Sequence, residues 1–122
     1  MKAFDTSEER IAMRRAQTRK FLEQLQPGTI LWDSWGYEQT NVEFYKVISR
    51  NKSLVEIVEL GHKTIPGSEG AMSDRVVPSE EPVGKPVWKM VRGPRITINE
   101  SVSLQLFPEE YKTSGVHRTW YA

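Results

Sequence analysis

The side chains that most often carry out chemistry are few in this sequence and lie far apart. Neither of the two histidines, His62 and His117, lies in a nucleophile pattern such as Gly-x-Ser-x-Gly. Glu80 and Glu81 are adjacent between prolines, where an extended backbone directs neighbouring side chains to opposite sides. We therefore expect a binding module rather than an enzyme. An enzyme would require His62 or His117 within hydrogen-bond reach of a carboxylate inside a pocket.

Metal and nucleotide sites also lack their usual residues. The chain has no cysteine, which excludes disulfides, zinc–thiolate sites and thiol catalysis. Its acidic residues are scattered, without the spacing of a calcium-binding loop. The glycines at 67 and 70 are not followed by the Lys-Ser/Thr pair that completes a phosphate-binding loop. The sequence therefore predicts no metal and no cofactor.

One segment combines aromatic, amide and glycine residues more densely than the rest of the chain. It reads Trp35-Gly36-Tyr37-Glu38-Gln39-Thr40-Asn41-Val42-Glu43-Phe44-Tyr45. Gly36 permits a positive backbone φ, and the polar side chains at 39–41 can cap a loop by hydrogen bonding to its backbone. The segment is therefore expected to fix the turn between the first two strands.

The same segment is also the best candidate for contact with a partner. Loops on a rigid scaffold often bind, and rigid aromatic side chains are effective anchors. The predicted partner-binding residues are Trp35, Tyr37 and Gln39, with Arg50 and Lys52 of the following turn as a charged rim. Whether the segment is purely structural or also binds is left open by the sequence.

The segment resembles one in small proteins of bacteriophages and related mobile elements. In those proteins a Trp-Gly-Tyr, a Gln-Thr-Asn and a Phe-Tyr recur in this order, matching residues 35–37, 39–41 and 44–45 here. The resemblance covers about a tenth of the chain. It implies a phage or mobile-element origin, and hence a host or phage protein as partner in the bacterial cytoplasm. It implies no activity.

Basic residues support an alternative, in which the protein is a nucleic-acid-binding accessory. They occur near both ends of the chain and flank aromatic residues, as in proteins that bind phosphate backbones. The candidate basic patch on the first helix is Arg14, Arg15, Arg19 and Lys20, and further basic residues are Lys46, Arg50, Lys52, Lys85, Lys89, Arg92 and Arg95. The formal net charge is only +1 and residues 28–84 are net acidic, so a protein partner is favoured over nucleic acid.

The amino-terminal element is predicted to be a helix over residues 6–25. Thr6 and Glu9 have the spacing of a capping box, and Pro27 with Gly28 ends the helical pattern. Its apolar residues concentrate in the second half, at Phe21, Leu22 and Leu25. We expect that half to pack on the body while the first half projects.

Short strands follow the helix, because β-branched and aromatic residues alternate between turn signals. Strands are predicted at 29–33, 42–49, 53–60, 74–77, 87–91, 95–98 and 102–106. The second and third are apolar on both faces and need cover on both sides. The prolines at 78 and 82 predict an irregular segment, and residues 108–122 a tail whose terminal aromatics fold back.

These elements predict a mainly β, α+β fold in one domain of 122 residues. The expected architecture is a strongly bent antiparallel sheet or a partly open SH3-like barrel over residues 29–107, with an OB-like barrel as the alternative. The first residues do not resemble a signal peptide, and no apolar run approaches ~18 residues. The sequence therefore predicts a soluble cytoplasmic protein that does not enter membranes, and it does not specify an oligomeric state.

Overall fold

The computed structural model describes the backbone of residues 6–120 and the side chains of residues 7–120. It contains α1 (Thr6–Gln24), β1 (Ile30–Trp35), β2 (Asn41–Asn51), β3 (Leu54–Thr64), β4 (Ser73–Pro82), β5 (Val87–Met90), β6 (Ile96–Thr97), β7 (Ser103–Leu106), α2 (Tyr111–Ser114) and β8 (Val116–Thr119). All seven predicted strands are present within one or a few residues of the expected bounds, except that β4 is longer. The predicted capping side chain of Thr6 lies outside the described side chains.

The strands form an antiparallel sheet in the order β6-β7-β1-β2-β3-β4-β8, and β5 pairs with β3 outside this path. The order does not return to its first strand, so over the described residues the sheet is open rather than a closed barrel. The long β3 pairs with two strands along the same edge: residues 54–57 pair with β5, and the part from Leu60 to Thr64 pairs with β4. The fold is thus α+β and mainly β, as predicted.

The β2–β3 hairpin buries side chains on both of its faces. Val47 lies opposite Ile57 and Phe44 lies opposite Leu60. Because successive strand residues point to opposite faces, Val47 and Phe44, three positions apart, lie on different sides of the sheet. Phe44, Val47, Val55 and Ile57 are all buried, but Phe44 belongs to a different core cluster from the other three.

Each face has its own cover. On the first face, Phe21 and Leu25 from the second half of α1 pack against Leu31, Val47 and Ile57. The first half of α1 stays exposed over residues 7–17, because its only large apolar side chains are isolated from one another. On the second face the cluster consists of Val42, Phe44, Leu60, Val76, Phe107 and Val116, with Trp32 and Tyr111 packed against it.

The segment with Pro78 and Pro82 was expected to be irregular and outside the strands; it belongs to β4, although its pairing register with β3 shifts between Leu60 and His62. These residues form the end of β4, where Pro78 lies opposite His62 and Pro82 opposite Leu60. A proline lacks the amide that a second neighbouring strand would need. The conflict is avoided because β8 pairs with β4 only from Ser73 to Val76, so the prolines face one neighbour.

The predicted tail from residue 108 also differs from the structure. It contains α2 and then β8, whose pairing with β4 extends the sheet. After β8, the amide of Trp120 donates to the carbonyl of Met72 at 3.1 Å, and the Arg118 guanidinium lies 5.4 Å from the centroid of the Trp120 ring. Trp120 therefore folds back on the sheet, as predicted, while Tyr121 lies outside the described residues. Among residues 6–120, no helix combines the length and apolar composition needed to cross a membrane.

Replacing Phe44 by alanine tests the second core. The ring is completely buried and lies 5.4 Å from that of Phe107, so we expect Phe44→Ala to lower the free energy of unfolding by about 3–5 kcal/mol. Urea unfolding followed by circular dichroism measures the change. Tyr37→Ala, at a side chain that is 98% exposed, is the control and should leave the midpoint unchanged. An unchanged midpoint in Phe44→Ala would mean that this face of β2 is not a core.

Candidate functional site

The loop between β1 and β2 makes a sharp turn at Gly36. The last residue pair of the two strands is Trp35 opposite Asn41, so five residues must reverse the chain. Gly36 has φ 127°, and a Cβ at this position would overlap the carbonyl oxygen of Gln39. Only glycine satisfies both conditions, as the sequence predicted.

Side-chain and backbone hydrogen bonds hold the rest of this loop. The side-chain amide of Gln39 donates from Nε2 to Asn41 Oδ1 at 3.1 Å. The backbone amide of Thr40 donates to Thr119 Oγ1 at 2.7 Å, and the amide of Thr119 donates to the Thr40 carbonyl at 3.1 Å. From the sequence we expected the loop's own residues to support it, but two of these three hydrogen bonds involve Thr119 of β8, 79 positions from Thr40.

A buried ion pair fixes β8 on β4 next to this attachment. Arg118 donates from Nε and Nη2 to the two carboxylate oxygens of Asp74 at 3.0 and 2.8 Å, and Thr64 donates a third hydrogen bond at 2.8 Å. The hydrogen bonds from Arg118 hold the pKa of the Asp74 carboxyl below its ordinary value, against the opposing effect of burial. The loop position thus depends on a carboxylate that is almost completely buried.

The structure separates the predicted partner-binding residues into three groups: Tyr37, the pair Trp35 and Gln39, and the pair Arg50 and Lys52. Tyr37 is 98% exposed at the tip of the loop. Trp35 is half-buried and packs against the first core, and Gln39 is half-buried in the loop's own hydrogen bonding. Tyr37 is therefore the residue of this set that can anchor a partner, while Trp35 and Gln39 support it.

Arg50 and Lys52 lie at the opposite end of the hairpin from Tyr37. The stretch of β2 from Asn41 to Arg50 spans about 30 Å at about 3.3 Å per residue. Arg50 Nη1 donates to the Lys52 carbonyl at 3.0 Å, and the Ser53 carbonyl in the same turn accepts from the Val91 amide at 2.8 Å. These two basic residues therefore border β5 and do not form a rim around the loop.

The helix patch and the later basic residues, in contrast, meet in space. Arg14, Arg15, Arg19 and Lys20 are exposed on α1. Arg14 lines one cleft with Arg92 and Arg95, and Arg14, Arg15 and Arg19 line a second with Arg92. No periodicity in the sequence indicates this convergence, because it depends on where α1 crosses the sheet.

Within residues 7–120 neither histidine is hydrogen-bonded to a carboxylate. His62 Nε2 lies 2.6 Å from the Val42 carbonyl oxygen, and His117 is exposed on β8. Glu43 lines a cleft with His62, and burial, followed by the Glu59 and Asp33 carboxylates, raises its pKa. Over residues 7–120 no group of three or more metal-ligating side chains comes together.

Comparison with known proteins gives no family. No protein-family model matches the chain, and neither a curated protein nor a solved structure matches it significantly. Function must therefore be inferred from the surfaces described above.

Two glycines with positive φ provide a matched test of the loop turn. A Cβ at Gly36 would overlap Gln39, whereas at Gly67, with φ 82°, it would meet no atom within 4 Å. We expect Gly67→Ala to cost about 1 kcal/mol, the backbone term alone, and Gly36→Ala to cost clearly more. Thermal melts of both variants measure the difference. Equal losses of stability would show that the Gln39 carbonyl moves away from the added methyl group without an energetic cost.

The Asp74–Arg118 pair predicts a specific acid dependence. Because the folded-state pKa of Asp74 is depressed from its ordinary value of 3.8, the pair stabilises the fold fully above that value and loses this effect as pH falls through the folded-state pKa. Asp74→Asn should therefore lower stability by about 2 kcal/mol at neutral pH, and the difference from wild type should shrink in acid.

Urea unfolding as a function of pH measures this effect. Glu109→Gln removes the exposed ion pair with Lys112 and is the control, since exposed pairs contribute little. Asp74→Asn should also speed amide exchange at Thr40, because β8 holds that amide. A pH-independent difference between Asp74→Asn and wild type would contradict the assigned pKa direction.

Proposed function

We propose that this protein is a non-enzymatic binding module that docks a partner protein through Tyr37. The observation that carries the proposal is an almost fully exposed tyrosine on a loop fixed at both ends, by Gly36 on one side and by the Thr40–Thr119 hydrogen bonds on the other. An aromatic ring on a fixed loop loses little conformational entropy on binding, so more of its contact energy appears as affinity.

The scaffold supports this role through its rigidity. We propose an SH3-like arrangement for the bent sheet, with an OB-like one as the alternative, in which the β1–β2 loop projects from the sheet as a binding loop. The resemblance of residues 35–45 to phage and mobile-element proteins supports a host or phage protein as the partner, met in the bacterial cytoplasm. The partner surface should offer an apolar socket for the ring and an acceptor for its hydroxyl.

The test is native affinity purification from the host, followed by titration with the purified partner. We expect Tyr37→Ala to weaken binding by at least about 30-fold, as for a binding hot spot, and to leave the thermal midpoint unchanged. Trp88→Ala is the matched control, because Trp88 is an exposed aromatic on β5, away from the loop.

Two results would overturn the proposal. One is recovery of no stoichiometric partner by the wild-type protein. The other is a partner that binds Tyr37→Ala as tightly as wild type.

A further inference from the structure

Five arginines from two distant parts of the chain form a continuous surface, here called the arginine face: Arg14, Arg15, Arg19, Arg92 and Arg95. Arg14, Arg92 and Arg95 line a cleft of about 310 Å³, and an adjoining cleft of about 490 Å³ shares Arg14 and Arg92 and adds Arg15 and Arg19. No aspartate or glutamate of the described residues lines either cleft. The surface therefore concentrates positive charge that the chain as a whole, at +1, does not show.

None of the five arginines forms an ion pair with another of the described residues. Over residues 7–120 the two ion pairs are Lys112–Glu109 and Arg118–Asp74, both elsewhere in the fold. Guanidinium groups present planar arrays of donors that match the oxygens of phosphates and carboxylates. The face therefore fits an anionic ligand with several charges.

Gly93 places one of these guanidiniums. The residue is buried, and a Cβ built on it would lie 2.6 Å from Arg14 Nη2 and 3.2 Å from Arg14 Cζ. The Arg14 side chain thus lies directly on the backbone of the β5–β6 turn, between Arg92 and Arg95. Gly93 is a positioning residue, because a methyl group there would displace the guanidinium.

An exposed aromatic residue lies next to the arginine face. Trp88 and Met90 are two positions apart on β5 and therefore share a face, and they are 50% and 51% exposed. Met90 lies opposite Leu54, also exposed, and lines the first cleft beside Arg14. Trp88 itself lies opposite Glu56 and lines neither cleft; Met90, on the same face of β5, connects it to the first cleft.

We propose that this surface binds single-stranded nucleic acid, with phosphates on the arginine face and a base stacked on Trp88. Arginines beside an exposed aromatic are the combination by which proteins hold single strands without reading sequence. An acidic peptide would use the charge but has no base to stack on the indole. In a duplex the bases are stacked inside and do not reach Trp88. The site uses residues other than those of the proposed protein-binding loop, because no residue from Trp35 to Asn41 lines either cleft.

The experiment is fluorescence anisotropy with labelled oligo-dT and oligo-U of about 15 nucleotides, a length within the range that one small β domain covers. Parallel titrations with a duplex and with a labelled polyglutamate peptide test the other ligand classes. We expect both single strands to bind more tightly than the duplex or the peptide. Affinity should fall between about 50 and about 200 mM salt, as counterions are released.

Variants assign the contacts. Arg14→Gln, Arg92→Gln and Arg95→Gln should each weaken binding and reduce the slope of log affinity against log salt by about 0.7, the value for one phosphate on a single strand. Trp88→Ala should weaken binding about 10-fold without changing that slope, and Trp88→Phe should restore most of it. Lys63→Gln, which removes one charge from the exposed end of β3, is the matched control and should have no effect.

Gly93→Ala tests the placement of Arg14. It should weaken binding as much as Arg14→Gln and leave the thermal midpoint unchanged, since only the end of a flexible side chain must move. Adding Arg14→Gln to Gly93→Ala should cause no further loss, because both changes act on one contact. Additive losses would show that Gly93 does not act through Arg14.

Several outcomes would overturn the proposal. Binding of polyglutamate at least as tight as that of the single strands would assign the face to an acidic protein. Equal affinity for duplex and single strand, with no loss in Trp88→Ala, would exclude stacking. If Lys63→Gln weakened nucleic-acid binding as much as the arginine variants do, the binding would be unspecific charge attraction. Tyr37→Ala should bind single strands like wild type, so this proposal and the protein-binding proposal fail separately.

Discussion

Burial of the β2–β3 hairpin on both faces is the constraint on which the other elements depend. Phe44 and Leu60 face one side, while Val47 and Ile57 face the other. An antiparallel pair that is apolar on both sides is unstable until each side is covered, since apolar area left in water is unfavourable. The second half of α1 covers one side, and β4, β8 and the segment around Phe107 cover the other.

The two covers determine where the binding surfaces lie. The β8 cover places Thr119 against the β1–β2 loop, and the Asp74–Arg118 pair holds β8 there. The α1 cover needs only Phe21 and Leu25 for docking, so its first half is free to carry Arg14 across the β5–β6 turn. Each proposed binding surface therefore forms where a covering element, β8 or α1, contacts the edge of the hairpin. The hairpin alone would present neither surface.

Local signals in the sequence predicted most of the sheet, but not what joins distant segments. The alternation of β-branched and aromatic residues between turn residues predicted β1 to β7. Gly36 was predicted at the loop turn because a sharp turn requires a positive φ. The pairing of β8 was missed, since His117-Arg118-Thr119 is polar and its strand depends on distant partners: the backbone of β4, the Asp74 carboxylate and Thr40. Arg50 and Lys52 were grouped with Tyr37 from sequence proximity, although an eleven-residue strand carries them to the far end.

That separation has a functional consequence. Tyr37 lies at one end of β2 and the β2–β3 turn lies at the other. The arginine face begins beside that turn, where the Val91 amide donates to the Ser53 carbonyl, and extends to Ser103, whose amide donates to Asp33 of β1 at 2.8 Å. No residue of the loop lines either cleft, so a protein held by Tyr37 and a strand held by the arginine face would contact different residues. The hairpin buries Val42 and Phe44 on one face and Val47 and Ile57 on the other. Because the hairpin is packed on both faces, we expect it to hold the two surfaces in a fixed relation, so that the proposed contacts would add as independent attachments.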